Sequence, residues 1–253
     1  MNGFLNIYKT KGVSSAKCLS RVKKIINCKC GHMGTLDPLA CGVLPVAIGQ
    51  ATRLFDIMTE KQKKYMADFT FGYETDTLDL EGKTIFSDGK IPTKSEIIDL
   101  LPDFIGEIDQ IPPVFSAKCI DGKKSYKLAR SGVAVELKPK RIEIYDIKLI
   151  ADNSPTFTFE ITCGGGTYIR SIARDMGKAV GSYATMTALE RVQSGFFTKE
   201  RSVTVEELIE NGYEKYLIAS DEVLHFEKVE LEESKAIRLL NGQIGRASCR
   251  ERV

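Results

Sequence analysis

Gly31-His-Met-Gly-Thr-Leu-Asp-Pro-Leu-Ala-Cys-Gly42 is the stretch on which the reading of this chain turns. Its glycines and Pro38 mark a loop rather than a helix or strand. Gly31 and Gly34 reach backbone conformations closed to other residues and let a ligand approach the main chain. Pro38 restricts the chain immediately after Asp37. A carboxylate held in such a loop can act as a nucleophile or general base. An Asp before Pro is also an ordinary turn residue, so the stretch alone leaves both roles open.

Upstream of it, residues 4–8 read as a strand. Ser14 and Ser15 are N-cap candidates for a helix to about Ile26, with Val22, Ile25 and Ile26 on one face. Downstream, residues 43–48 read as a short apolar strand and 51–58 suit a helix. In 65–71, Tyr, Ala, Phe and Phe alternate with Met, Asp and Thr, the pattern of a half-buried strand. Residues 75–82 are turn-like, 94–101 helical, Ile111-Pro-Pro113 breaks the chain, and 125–131 read as a short basic helix. Two strands, 141–150 and 156–162, flank the hairpin signal Asp152-Asn-Ser-Pro155. Gly164-Gly-Gly166 opens a helix over about 167–180, and another helix covers 204–210. Clustered strands with interspersed helices indicate an α+β sheet protein rather than a regular βαβ repeat.

Composition narrows the chemistry. The 253 residues are 43% hydrophobic and 28% charged, enough for a buried core. No apolar run approaches the roughly 18 residues of a membrane span, and no export signal is visible. A soluble, cytoplasmic protein with no membrane association is expected. Seven scattered cysteines fit reduced thiols. Cys28 and Cys30 lack a second ligand pair, and His32 and His225 are the two imidazoles, so no metal site is expected. The net charge of +2 conceals an asymmetry: residues 1–64 carry +8 and residues 200–243 carry −6. A basic amino-terminal region on a near-neutral chain suggests a local polyanion site, or else a solvated helix face.

Two further groups bear on function. Glycines 164–166 before a helix start suit an anion, and Arg170 and Arg174 share a helix face there. No Walker-type Gly-Lys-Ser/Thr follows. Tyr65 follows Lys61, Lys63 and Lys64, an aromatic among lysines that suits unstacked bases and phosphates of RNA. Lys118 to Lys127, with Tyr126 inside it, reads as a basic clasp or a solvated loop.

Taken together these pieces resemble the bacterial tRNA pseudouridine-55 synthases, the TruB type of pseudouridine synthase, over about residues 3–243. The matching pieces are Lys9-Thr-Lys-Gly-Val-Ser-Ser15, the 31–40 stretch with Gly42-Val-Leu-Pro45, and Lys64-Tyr65. Further pieces are Asp76-Thr-Leu-Asp79, Ile111-Pro-Pro-Val-Phe-Ser-Ala-Lys118, Gly166-Thr-Tyr-Ile-Arg-Ser171 and Ala188-Leu-Glu-Arg191. The resemblance implies a mixed, largely antiparallel sheet of the pseudouridine-synthase type flanked by helices. It implies catalytic roles for Asp37, Tyr65 and Arg170: the carboxylate, the base-stacking ring and the carboxylate's counter-ion. Substrate contacts fall to His32, wedged into the RNA loop, and to Tyr168, Leu189 and Lys9. Departures are Met33 where Thr is usual, Thr10 where Pro is usual, and Gly165 where Lys is common.

The implied reaction converts the uridine at position 55 in the T-loop of tRNA to pseudouridine. The base is flipped out, the N1–C1′ bond breaks, the uracil turns, and C5 joins C1′. Asp37 attacks C1′ or takes a sugar proton. The isomerisation calls for no cofactor and no metal. The implied partner is the tRNA T-arm, bound by a monomer with no obligate protein partner. The alternatives are a non-catalytic tRNA-binding or folding chaperone and a glycosidase. A paired carboxylate argues against the first, and the lack of a second catalytic carboxylate argues against the second. The expected organisation is a catalytic domain over 1–228, with an inserted RNA clasp at about 111–140. Residues 229–243 would start a truncated carboxy-terminal RNA-binding domain, and 244–253 would be a non-native sequencing scar.

Overall fold

The computed structural model describes residues 2–55, 58, 62–115, 119–120, 123–124, 137–224 and 229–242. The chain forms two compact units, Met1–Ser220 and Asp221–Val253.

The first unit is built on one large sheet. Its strands are β1 (Gly3–Lys9), β2 (Cys30–His32), β3 (Cys41–Ile48), β4 (Lys63–Phe71), β7 (Gly106–Gln110), β10 (Lys140–Asn153), β11 (Thr156–Cys163), β12 (Ala184–Ser194) and β13 (Phe197–Thr198). Across the sheet the order is β1-β3-β12-β4-β11-β10-β7, with β2 beside β3 and β13 beside β12. Every pairing is antiparallel except β12 with β3, where Arg191 lies opposite Gly42. Two small hairpins, β5 (Tyr73–Thr75) with β6 (Thr84–Ser87) and β8 (Cys119–Ile120) with β9 (Lys123–Lys124), stand apart from it. The α+β expectation with a largely antiparallel sheet holds.

The alternation in β4 sends Tyr65, Ala67, Phe69 and Phe71 into the core. There Phe69 meets Phe159 at 5.0 Å between ring centroids, and Phe71 meets Phe157 edge-on at 5.5 Å. Such cross-strand aromatic pairs fix register as well as burying area. Helix α2 (Lys94–Leu100) adds Ile97, and α3 (Ile169–Ala179) adds Ile169, Ile172, Ala173 and Met176 to this core. A second core joins β1 and β3 to α1 (Ser15–Ile26) and α4 (Val205–Asn211), through Cys18, Val22, Ile26, Val205 and Leu208.

Local chemistry sets the helix ends. The Ser14 side chain accepts from the Lys17 amide at 3.2 Å, and Asn27 closes α1 in the left-handed region at φ 45°. Thr93 with Glu96, and Thr204 with Glu207, form capping boxes at the starts of α2 and α4.

Several expectations change in detail. The helix expected over 51–58 is, in its described part, a 3-10 helix at Gly49–Arg53. The loop expected over 31–42 is entered by β2, because His32 pairs with Val46. β12 was not expected as a strand: its Glu190, Arg191 and Gln193 hide the alternation that burial requires. The basic helix over 125–131 and the segment 244–253 lie outside the described residues. The second unit contains helix α5 (Glu233–Leu240).

Candidate active site

The loop between β2 and β3 is held at many points. The Met33 amide donates to the Pro45 carbonyl (2.8 Å), and the Gly12 amide donates to that of Pro38 (2.8 Å). The Ser15 hydroxyl exchanges hydrogen bonds with the Leu36 amide and carbonyl at 2.8 and 2.9 Å. Arg191 donates from Nη2 to the Gly34 carbonyl (3.0 Å) and from Nε to that of Val43 (2.8 Å). Gly42, at φ 106°, leaves no room for a Cβ against the Arg191 backbone, which permits the parallel contact of β3 with β12. Asp37 sits at the tip of this fixed loop with 36% of its side-chain surface exposed.

Arg170, in the first turn of α3, is buried, with its side chain 6% exposed. Its Nε lies 3.0 Å from Asp37 Oδ2, and its Nη1 lies 3.4 Å from Asp79 Oδ2. Nη1 also donates to the Thr77 carbonyl (2.9 Å), and Nη2 donates to that of Phe115 (3.1 Å). The guanidinium fork therefore has partners on three sides, which fixes its plane. Asp79 is oriented in turn by the Thr77 hydroxyl (2.6 Å) and the Glu81 amide (3.1 Å), both donating to Oδ1.

Asp37, Tyr65, Tyr168, Arg170 and Leu189 line one cleft of about 520 Å³, together with Lys63, Lys140 and Arg191. Tyr65 and Leu189 are both 7% exposed. Burial pushes the Tyr65 phenol above its ordinary pKa, opposed by the charge of Arg191. The Tyr168 backbone is clamped by Gln110, which accepts from its amide (2.8 Å) and donates to its carbonyl (3.1 Å). The Lys63 ammonium is pushed below the usual lysine range by burial first, then by Arg191 and Lys140.

Two expected substrate contacts do not line this cleft. Lys9 is fully buried, and its ammonium donates to the carbonyls of Ala40 (2.5 Å), Val13 (2.6 Å) and Thr10 (3.1 Å). In this arrangement it fixes the loop that carries Asp37. His32 lies on β2, half-buried, with Nδ1 buried and without a hydrogen-bond partner. Burial, and then Arg191, lowers its pKa. Asp79 and Arg191 were within quoted motifs but had no assigned role. For Asp79 the signal was a carboxylate beside a turn; Arg191 gave none, because polar residues and register shifts hide the alternation of β12. Lys140 gave no such signal. Among the described residues no group of three or more His, Cys, Asp or Glu side chains is placed to hold a metal.

Two family models match the chain. One, described as the N-terminal domain of TruB family pseudouridylate synthase, covers residues 21–169. The other, described as the tRNA pseudouridylate synthase B C-terminal domain, covers 170–225. Their boundary falls inside α3 and so does not divide the fold. A tRNA pseudouridine synthase B of Clostridium perfringens (strain 13 / Type A) is 42% identical over 246 residues, 96% of this chain and 84% of its own length. One from Francisella philomiragia is 42% identical over 233 residues, 90% of this chain and 77% of its own. Among solved structures, a Cbf5-Nop10-Gar1 complex matches at a TM-score of 0.65 and 31% identity, covering 83% of this chain and 54% of that one. An H/ACA RNP bound to a substrate RNA containing 2′-deoxyuridine matches at 0.62 and 28%, covering 83% and 53%. The chain thus spans about half the length of those two solved chains.

Proposed function

The chain belongs to the TruB family of pseudouridylate synthases, and from this we propose that it converts uridine 55 in the T-loop of tRNA to pseudouridine. The observation that carries the assignment of roles is the Asp37–Arg170 ion pair in a cleft walled by Tyr65, Tyr168 and Leu189. A carboxylate that is paired yet a third exposed stands ready at the sugar, while its counter-ion is held away from solvent. Uridine 55 is inside a folded loop, so it is flipped into the cleft before the chemistry.

The residues then divide the work. Asp37 acts at the ribose while the N1–C1′ bond breaks. The uracil is kept in the cleft by the ring of Tyr65 and the apolar wall of Leu189, turns, and rejoins through C5. No atoms are gained or lost, so no redox partner or nucleotide enters. Arg170 holds the carboxylate in place. His32 is assigned to the RNA loop outside the cleft. Lys118, Lys123, Lys124 and Lys127 are assigned to RNA phosphates on their charge; their side chains lie outside the described residues. Among the described residues no helix is long and apolar enough to cross a membrane, and we assign the chain to the cytoplasm, as a monomer, with tRNA.

Incubation of the protein with unmodified tRNA transcript, followed by mapping of pseudouridine, tests the reading. Pseudouridine at position 55 is the expected result. Tight tRNA binding with no pseudouridine at any position would instead favour a folding chaperone.

A further inference from the structure

The charges lining the cleft fall into two groups. Asp37 is paired with Arg170, which also meets Asp79. Lys63, Lys140 and Arg191 line the same cavity, and among the described residues none of the three has a carboxylate within ion-pairing distance. Arg191 is 1% exposed and donates to main-chain carbonyls, which are dipoles rather than charges. The ammonium groups of Lys63 and Lys140 have no protein acceptor among the described residues.

The backbone beneath these cations is bare. A Cβ at Gly34 would stand 3.4 Å from Arg191 Nη1 and 3.8 Å from Lys63 Nζ, so the two charges meet over that glycine. A Cβ at Gly166 would collide with the Lys140 ammonium. Gly34 and Gly166 hold φ of 107° and 86°, where other residues are strained. Residue 165 of the same turn is glycine as well. The turn brings no cation of its own, and Lys140 supplies one from the start of β10.

Buried or clustered cations without counter-charge are costly unless an anion joins them. The ribose and uracil of a uridine nucleotide are neutral, and its anion is the phosphodiester. We propose that Lys63, Lys140 and Arg191, over Gly34 and Gly166, form a subsite for the RNA phosphodiester adjoining the target nucleotide. The subsite registers the flipped nucleotide so that its C1′ faces Asp37, since phosphate contacts position RNA while other contacts read it. This rests on the reading of the cleft as an RNA site.

The test uses T-arm stem-loop RNAs with natural linkages or with a neutral methylphosphonate beside the target uridine. Affinity is measured over a range of salt for the unsubstituted protein and for Lys140→Gln, Lys63→Gln and Lys140→Arg. Lys140 is exposed at the end of a strand, so its variants should fold, as a melting curve will show. Lys140→Gln should lose roughly 10-fold in affinity for natural RNA, and its slope of log affinity against log salt should fall by about 0.7. It should lose nothing further on the neutral RNA, and Lys140→Arg should restore binding. Losses from Lys140→Gln and from the neutral linkage that simply multiply at both positions flanking the uridine, or an unchanged salt slope, would overturn the subsite. Pseudouridine formation by the unsubstituted protein is read separately. Its absence would sink the reaction and leave the binding result to decide the subsite.

Discussion

Arg170 Nε lies 3.0 Å from Asp37 Oδ2, so one buried guanidinium spans from the loop after β2 to the first turn of α3. The pair sets the Asp37 carboxylate's position without burying the carboxylate itself. Asp37→Asn preserves the side chain's shape and removes its charge. Pseudouridine formation should fall below detection while tRNA affinity stays within a few-fold. Single-turnover assays on protein made free of wild-type enzyme check this, and substantial turnover would remove Asp37 from its role.

Asp79 steadies Arg170 from the far side, 3.4 Å from Nη1. Asp79→Asn should slow turnover by roughly 10- to 100-fold, as loss of reactive alignment typically does, with little change in tRNA affinity. Combined with Arg170→Lys, the losses should be less than multiplicative, because both substitutions loosen one network. Strictly multiplicative losses would show that Asp79 acts independently.

Tyr65 combines a ring in the cleft wall with a phenol under the influence of the Arg191 charge. Tyr65→Leu should mainly lower the rate at saturating tRNA, through loss of the stacking surface. Tyr65→Phe keeps the ring and should retain much more activity. Equal damage from both would shift the role from stacking to the hydroxyl.

Lys9 separates a scaffold role from a substrate contact. Its ammonium serves three carbonyls and has no exposed surface. Lys9→Met should therefore destabilise the fold by roughly 2–4 kcal/mol, since charged hydrogen bonds and buried acceptors are lost together. Denaturant melts measure this. A normal melt with a raised KM for tRNA would return Lys9 to the substrate contacts.

Glu74 on β5 is 7% exposed, and its Oε2 has no hydrogen-bond partner. Burial raises its pKa above the ordinary 4.5, with Lys178 and Arg174 opposing. A raised folded-state value means stability that is present below about pH 4.5 and lost as pH rises through the folded value. Glu74→Gln should therefore stabilise the protein at pH 7 by about 1 kcal/mol, with the gain shrinking towards pH 4. A gain of the same size at both pH values would refute burial of the charge as its cause.

Much of the fold was legible locally. The alternation of 65–71, the hairpin signal at 152–155 and the cap at Ser14 depend on neighbours within a few residues, and those elements stand where they were read. β12 was not legible, because a central strand that lines a cleft has polar residues at positions that would otherwise be apolar. The resemblance to the TruB-type synthases marked Asp37, Tyr65, Tyr168, Arg170 and Leu189 as one group, and the cleft assembles them.

By itself the sequence determined which residue types stand at these positions and which short segments turn, coil or extend, since those follow from backbone sterics and side-chain periodicity. The tertiary structure alone decided which charges meet. Lys9 and Lys63 are both lysines of the basic amino-terminal region. One is spent on three carbonyls inside the protein, and the other faces a cleft beside Arg191 and Lys140. Their fates differ because the strand order sets each lysine's neighbours: β1 is an outer strand beside β3, whereas β4 lies between β12 and β11. The energy of a charge depends on what surrounds it within a few ångströms, and residues distant in the chain supply those surroundings.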